Sequence, residues 1–410
     1  MKFGTCVSLL VLLLVNVAFA EKWAVLVCGS EGYWNYRHQA DNAHAYRILI
    51  NNGYKPENII VFSINDAPSY KYNPIPNTLY NKPGNSSIDY YENYVVDYEG
   101  EACNVDNYIK VLTGDESAGG KVLKTTEEDT VFLTFFDHGD DDIICFPKED
   151  LHSTDLLFAF RTMKEKKMYK RIVYYMEACF SGSMFKSLES DLNVYALTAA
   201  NDNESSWGWY CGNDAVVNGI PMKTCLGDEF SIRWMENVDE GDLNQTFKQH
   251  AETIQTLVVK SHVSRYGDFS FENLPISEVF TGDLATVKNR KVIHNEIVES
   301  ASEQSHLSKL HFFEGLLQTN SDNKEIQEEY KKELETIGKV DTYFDLLIKK
   351  FKRMGVMPLD SIRGPVKNVE CYKKTTQYVN KYLGRSDYLL KYYHTLHTIC
   401  DQYSDAYLYM

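Results

Sequence analysis

A carboxylate and a thiol stand two residues apart in Glu177-Ala178-Cys179, directly after an apolar run, and Ser-Gly-Ser follows at 181–183. Side chains two apart on a strand point to the same face. The small residues predict a tight turn, and the N-terminus of a helix after it would lower the pKa of the thiol from its usual value of about 8.5. This pattern is typical of a nucleophilic cysteine, and the alternative is a buried structural cysteine.

A nucleophilic cysteine needs a base, and a histidine follows another apolar run, in Asp-His-Gly at 137–139. One cysteine with a distant histidine is the usual layout of nucleophile and base. The backbone N–H of Gly139 could join that of Cys179 in an oxyanion hole. Asn35 could orient the ring of His138, as the third member of a triad does, or it could cap the helix that follows.

Five continuous apolar runs predict buried parallel strands, at 22–30, 58–64, 129–139, 171–179 and 193–201. Helical patterns alternate with them, at 37–53 and 153–170. This alternation predicts an α/β domain with a mostly parallel sheet flanked by helices. Because ligands bind beyond the carboxyl ends of such strands, we expect the reactive residues to meet at one edge.

The chain is predicted to have four parts, which are a cleaved secretory signal (1–20), the α/β domain (21–288), a connector (289–325) and a helical module (326–410). Residues 1–289 hold 24 basic and 41 acidic groups, and the remainder holds 18 and 17. The acidic body and the mildly basic end are either two solvated surfaces or two surfaces that dock. The net charge of −16 argues against a nucleic-acid partner.

The signal predicts a secretory or vacuolar location, and no later stretch is long enough to span a bilayer. Glycosylation sequons then begin at Asn85, Asn203 and Asn244. No pair of cysteines has CxxC spacing, so no metal site is predicted. A disulfide is expected between Cys211 and Cys225, and Cys371 could pair with Cys400, although connectivity does not follow from sequence alone.

Five segments resemble the legumain family, the asparaginyl endopeptidases or vacuolar processing enzymes, and they occur in the same order. They are NYRHQAD (35–41), FFDHG (135–139), EACFSGSM (177–184), TAANDNESS (198–206) and CLGDEFSIRWME (225–236). The resemblance extends over the whole chain. It implies a caspase-like α/β fold followed by a small all-helical C-terminal prodomain. It also implies a lysosomal or vacuolar cysteine protease that cuts after Asn, and after Asp at lower pH, and that uses no cofactor.

By motif position, the resemblance makes Cys179 and His138 the catalytic pair, with Asn35 supporting the histidine and Gly139 in the oxyanion hole. The implied substrate pocket consists of Arg37, His38, Glu177, Ser205 and Asp228.

The chemistry of this pocket suits an asparagine side chain. Arg37 can donate to its carbonyl oxygen, and Glu177 and Asp228 can accept from its NH2 group. An aspartate would need acid to protonate one of these partners. Two alternatives stay open, since Asp228 could be a helix N-cap and Glu177 could belong to a buried ion pair.

Two positions bear on the type of reaction. Phe180 stands where the family usually has glutamate, which leaves fine specificity and pH behaviour open. Gly208 stands where peptide-joining relatives carry a bulkier residue, which favours hydrolysis. The alternatives are a peptide ligase on the same scaffold and an inactive secreted homologue that binds other proteins. A lipid-anchor transamidase is disfavoured, because such enzymes carry a C-terminal membrane span.

The resemblance also implies latency. The tail is expected to cover the site as an inhibitor and to leave when acid protonates carboxylates at the contact. The expected partners are peptide substrates, the chain's own prodomain and cystatin-type inhibitors. Self-cleavage needs an asparagine in the connector, and the candidates are Asn289, Asn295, Asn320 and Asn323, with Asn295 nearest the family's usual position.

Overall fold

The computed structural model describes residues 20–282, 300–356 and 365–410. The predicted signal segment, Asn289 and Asn295 lie outside the described residues. The described strands are β1 (Lys22–Cys28), β2 (Ile59–Ser63), β3 (Tyr98–Glu99), β4 (Thr130–Phe136), β5 (Gly139–Asp140), β6 (Ile143–Cys145), β7 (Asp150–His152), β8 (Arg171–Glu177), β9 (Val194–Thr198), β10 (Trp207–Trp209), β11 (Val216–Val217), β12 (Ile220–Pro221), β13 (Gly227–Asp228), β14 (Ser264–Gly267) and β15 (Glu303–Gln304). The described helices are α1 (Tyr36–Asn51), α2 (Val105–Leu112), α3 (Ser153–Glu165), α4 (Glu229–Glu240), α5 (Phe247–Leu257), α6 (Ser277–Phe280), α7 (Ser308–Thr319), α8 (Lys324–Arg353), α9 (Val369–Leu383) and α10 (Tyr393–Gln402).

The central sheet has seven strands in the order β14-β9-β8-β4-β1-β2-β3. Its neighbours pair in parallel, except that β14 runs antiparallel to β9. The five predicted strands all lie in this sheet, so the predicted α/β class is confirmed. Strands β4 and β8 read as continuous apolar runs because helices cover both faces of the sheet.

Two cores form on the two faces of the sheet. Helices α2 and α3 cover one face, where Leu156 and Phe160 are fully buried among strand side chains. Helices α1, α4 and α5 cover the other face, with Leu49 and Trp234 at its centre. Helix α1, which follows β1, therefore begins at the same sheet edge as the ends of β4 and β8.

The C-terminal region is helical, as predicted, and has a core of its own from α8, α9 and α10. Ile143 and Cys145 of the body belong to the same cluster, so the tail packs directly on strand β6. Helix α7 lies in an aromatic cluster of the body, where Phe312 contacts the rings of Tyr33 and Trp34.

The connector contributes one strand that its composition does not indicate. Strand β15 pairs antiparallel with β10, which also pairs with β13. A two-residue strand is too short to show an apolar pattern in the sequence.

Disulfides join Cys211 to Cys225 and Cys371 to Cys400. Among the described helices, none is long and apolar enough to cross a membrane.

Candidate active site

The register of two central strands brings the histidine and the thiol together. Phe136 of β4 pairs with Glu177 of β8, and the N–H of Asp137 donates to the carbonyl oxygen of Glu177 at 3.2 Å. His138 and Cys179 each stand two residues beyond this pair. Both side chains line the same cavity at the carboxyl edge of the sheet, where the sequence predicted them.

The thiol lies at a turn shaped by its neighbour. Phe180 has a left-handed backbone with φ of 54°, and a short 3-10 helix from Ser181 to Phe185 follows. The longer helix that the sequence predicted does not follow the thiol, so the predicted helix dipole does not act on the sulfur of Cys179. Cys179 is 8% exposed, and its Sγ lies 3.8 Å from the carbonyl oxygen and 3.9 Å from the Oγ of Ser206.

Asn35 supports the histidine rather than the helix. It occupies the N-cap position of α1, but its side chain makes no capping hydrogen bond. Its Oδ1 lies 3.0 Å from Nε2 of His138 instead, which is the contact that orientation of the ring requires. Gly139 packs so closely that a Cβ there would lie 2.7 Å from the carbonyl oxygen of Cys179. Only glycine fits at this position without displacing the turn.

A carboxylate from the tail completes the surroundings of the histidine, and sequence reasoning missed it. Asp387 Oδ2 lies 3.4 Å from His138 Nε2 and accepts hydrogen bonds from Asn35 Nδ2 at 3.1 Å and Trp34 Nε1 at 3.2 Å. Burial alone would lower the pKa of His138, but the charge of Asp387, its hydrogen bond to the ring and the charge of Asp137 together outweigh burial and raise that pKa. The pKa of Asp387 is correspondingly held well below its usual range, against the effect of its own burial.

The guanidinium of the pocket is fixed by a buried ion pair. Arg37 Nε donates to Asp228 Oδ1 at 2.9 Å, and both side chains are 1% exposed. Asp228 stands at the N-cap of α4, but its side chain makes no capping hydrogen bond. Glu177 Oε2 accepts from the N–H and the Oγ of Ser231, at 3.1 and 2.8 Å. Asp228 is therefore the ion-paired acid, and Glu177 is held by a serine.

His38 lies between the catalytic histidine and the Arg37–Asp228 ion pair. Its Nδ1 is 2.8 Å from Ser30 Oγ and its Nε2 is 3.5 Å from Asp228 Oδ2. Burial, reinforced by the charge of Arg37, lowers the pKa of His38 well below its usual value, which keeps the ring neutral. Donor atoms of His38, Asp137 and His138 lie within 4.8 Å of one another, so these three side chains could hold a metal ion.

The remaining predicted positions are on the surface or at the rim. Ser205 is half-buried and lines the cavity beside the thiol, whereas the next residue, Ser206, is the serine that contacts the sulfur. The three sequon asparagines, Asn85, Asn203 and Asn244, are all exposed.

Three buried polar atoms in the pocket have no hydrogen-bond partner among the described residues. They are Nη2 of Arg37, Oε1 of Glu177 and Oδ2 of Asp228. Buried polar groups are almost always paired, so such a group indicates a ligand or a water. One donor and two acceptors are the complement of a primary carboxamide, which has one acceptor oxygen and an NH2 group with two donors.

Comparison with known proteins identifies a family and several relatives of this chain. The model of the Peptidase C13 family matches residues 22–337. Hemoglobinase of Schistosoma japonicum is 41% identical over 265 residues, which are 64% of this chain and 61% of that protein. The delta isozyme of the vacuolar-processing enzyme of Arabidopsis thaliana is 42% identical over 61% of this chain and 56% of that protein. Legumain of Homo sapiens is 33% identical over 93% of this chain and 89% of that protein. The chain thus spans about three fifths of the length of the first two relatives.

Proposed function

The chain belongs to the peptidase C13 family of cysteine endopeptidases, and from this premise we propose that it hydrolyses peptide bonds after Asn, and after Asp at lower pH. Cys179 is the nucleophile and His138 is the general acid and base. The observation that supports the specificity best is the set of three unpartnered buried atoms on Arg37, Glu177 and Asp228. A pocket of buried polar groups rejects side chains that leave those groups unpaired.

The preference for Asp at lower pH follows from the same carboxyls. Burial is the main reason that the pKa values of Glu177 and Asp228 are raised. At high pH their charges repel a substrate carboxylate. As the pH falls through the raised pKa values, a carboxyl gains a proton that it can donate to the substrate carboxylate. Cleavage after Asp therefore increases in acid.

The mechanism uses the chain's own residues. His138 takes the proton of the Cys179 thiol, the sulfur attacks the backbone carbonyl carbon of the substrate Asn, and the C–N bond breaks to leave a thioester. His138 protonates the leaving amine and then takes a proton from the water that hydrolyses the thioester. Asn35 fixes the ring of His138, while the N–H groups of Gly139 and Cys179 face the developing oxyanion.

The tail acts as the inhibitor of the uncut chain. Asp387 contacts His138, and Leu390 and His394 line the cavity of the thiol. A substrate cannot occupy the site while these side chains do. Latency therefore ends when the tail leaves.

Charges of opposite sign hold the tail on the body. Lys373 of the tail pairs with Asp155 at 2.7 Å, Arg385 pairs with Asp150, and His397 Nδ1 lies 3.1 Å from Asp141 Oδ2. Acid protonates such carboxylates and weakens the contact. Raised salt at neutral pH should weaken the same contact, and a tail that stays bound in salt would contradict this mechanism.

Release also needs a cut in the connector. Asn320 and Asn323 lie in the exposed turn between α7 and α8, which is open to a second enzyme molecule. Asn289 and Asn295 remain alternative sites. N-terminal sequencing of the tail fragment identifies the bond that is cut.

The proposed location is the secretory route to a lysosome or vacuole. The predicted signal segment and the three exposed sequon asparagines support it, as do the relatives named vacuolar-processing enzymes. Cystatin-type proteins are proposed inhibitors on the family resemblance alone.

The test is cleavage of matched peptides with Asn, Asp or Ala before the cut, after the chain has been processed at about pH 4.5 to 5.5. A Cys179→Ala variant is the control. Turnover that prefers Asn and needs Cys179 supports the proposal. Product masses with and without an added amine separate hydrolysis from ligation. No turnover from a folded, tail-free protein would instead indicate an inactive homologue.

We favour hydrolysis over ligation because Gly208 stands where peptide-joining relatives carry a bulkier residue, and the site is crowded. A Cβ at this position would lie 3.0 Å from Cys225 Sγ and 3.3 Å from Arg37 Cδ. A bulkier residue would therefore press on the stem of the Arg37 side chain.

A further inference from the structure

A third carboxyl, that of Asp41, lies behind the specificity pocket. Asp41 follows Arg37 by one turn of α1 and is completely buried. Its Oδ1 accepts from Asn81 Nδ2 at 2.6 Å, and its Oδ2 accepts from the backbone N–H of Asp228 at 3.1 Å. Asn81 Nδ2 also donates to the carbonyl oxygen of Leu226. Asp41 thus ties helix α1 to the segment that carries Asp228.

The charges in this region do not balance unless a proton is present. Asp41, Glu177 and Asp228 are three buried carboxyls, and the guanidinium of Arg37 binds directly to Asp228. The neighbouring ring of His38 is neutral, because burial and the charge of Arg37 lower its pKa. Uncompensated buried charge is strongly unfavourable. Burial, followed by the charge of Asp228, raises the pKa of Asp41 well above its usual value.

We propose that Asp41 is a positioning residue of the specificity pocket, which carries a proton through the working pH range and holds Asp228 beside Arg37. This inference rests on the proposed cleavage after Asn and Asp. With Asp41 neutral, Asp228 is the carboxylate that neutralises Arg37, and the proton of Asp41 serves the hydrogen bond between the two carboxyl groups. An Asp substrate then needs one additional proton in the pocket, whereas an Asn substrate needs none.

The test compares Asp41→Asn and Asp41→Ala with the wild-type enzyme after tail removal, on matched Asn and Asp peptides from pH 4 to 8. Neither variant can ionise at position 41. The pH midpoint of the Asp-to-Asn ratio of kcat/KM should stay within about 0.3 unit of wild type in Asp41→Asn, because no charge is removed. Asp41→Ala should raise KM for the Asn peptide about tenfold with kcat within about threefold, because binding geometry and not chemistry is lost. Asp41→Asn should restore part of this loss.

Two results would overturn the inference. A fall of about one unit or more in the pH midpoint of Asp41→Asn would show that Asp41 is charged in the wild type, because removing a negative charge lowers the pKa values of the neighbouring carboxyls. An unchanged KM in Asp41→Ala would show that it positions nothing. If Asp41→Ala does not fold, infrared spectra of Cys179→Ala with and without Asp41→Asn decide the matter. The difference spectrum should show loss of protonated-carboxyl intensity in Asp41→Asn, and identical intensity with and without Asp41 would contradict the proposal.

The wild-type enzyme is assayed first on Asn and Ala peptides. Equal turnover of these two would refute the proposed specificity itself, before any variant at position 41 is measured.

Discussion

The basic side chains on the two sides of the active site are paired with carboxylates from different parts of the chain. On the catalytic side, the charge opposite His138 comes from Asp387, a residue of the tail more than 200 positions along the chain. On the specificity side, the charge opposite Arg37 comes from Asp228, within the body itself. The first pair exists only while the tail is docked, and the second is permanent.

Because of this difference, the residues proposed to select the substrate do not depend on the tail that is proposed to inhibit the enzyme. Departure of the tail removes Asp387 from His138, but it leaves the Arg37–Asp228 pair and its support by Asp41 in place. A preformed pocket avoids the cost of ordering when substrate binds. Under the proposed activation, the specificity pocket therefore needs no rebuilding after the tail leaves.

The pH dependence of the catalytic-side pair has a definite sign. The pKa of His138 is raised by docking to Asp387, so this contribution is present in acid and is lost as the pH rises through the raised value. The pKa of Asp387 is lowered, so its contribution is lost only when the pH falls below the usual range of an aspartate. Between the lowered pKa of Asp387 and the raised pKa of His138, this pair holds the tail on the body. Release of the tail must therefore be driven by protonation of other carboxylates at the contact.

The largest effect is expected on the specificity side. Arg37→Ala should lower kcat/KM for Asn peptides at least about a hundredfold in the tail-free enzyme, because breaking a buried ion pair costs about 3–5 kcal/mol. Arg47→Ala, on the same helix but outside the pocket, is the matched control and should stay within about twofold. Equal losses in the two variants would show that helix α1 matters only for stability.

A smaller effect is expected from the disulfide that braces the tail. Cys371 in α9 and Cys400 in α10 are joined on either side of the segment that carries Asp387. Replacing both by Ser should lower the free energy of unfolding of the tail by about 2–4 kcal/mol, since the unfolded loop is no longer closed. Denaturant unfolding measures this change. The activity of the processed enzyme should be unaffected, and a loss of it would tie the tail to the specificity pocket.

The smallest effect is expected from the single contact on the histidine. Asp387→Asn removes the charge but keeps the shape, and it should weaken docking of the cut tail about tenfold at pH 6, as loss of about 1.4 kcal/mol implies. Release should then occur in less acidic solution than in the wild type. Asp345→Asn, an exposed acid of α8, is the control. Size-exclusion chromatography across the pH range measures both, and identical release curves would rule out a role for the pair.

The sequence predicted much of the body, because its signals are local. Apolar runs located the central strands, and strand ends located Cys179, His138 and Glu177 at one edge. Asp387 was missed because it is one aspartate in a tyrosine-rich helical segment, and no spacing relates it to His138. Ser205 was predicted and lines the cavity, whereas the contact of Ser206 with the sulfur was not predicted, since the direction of a side chain in a loop is set by tertiary contacts. Asp41 is the last residue of the NYRHQAD segment, but its burial and its bond to the backbone of Asp228 appear only in three dimensions.

The most direct test of the central claim is the rate at which iodoacetamide alkylates Cys179 in three forms of the chain. These are the uncut protein, the uncut Asp387→Asn variant and the processed wild-type enzyme, all at pH 6. If the tail covers the catalytic side through Asp387, the uncut protein should react slowest, the variant faster and the processed enzyme fastest. Equal rates in all three forms would show that the tail does not guard the thiol, and would contradict the proposed latency.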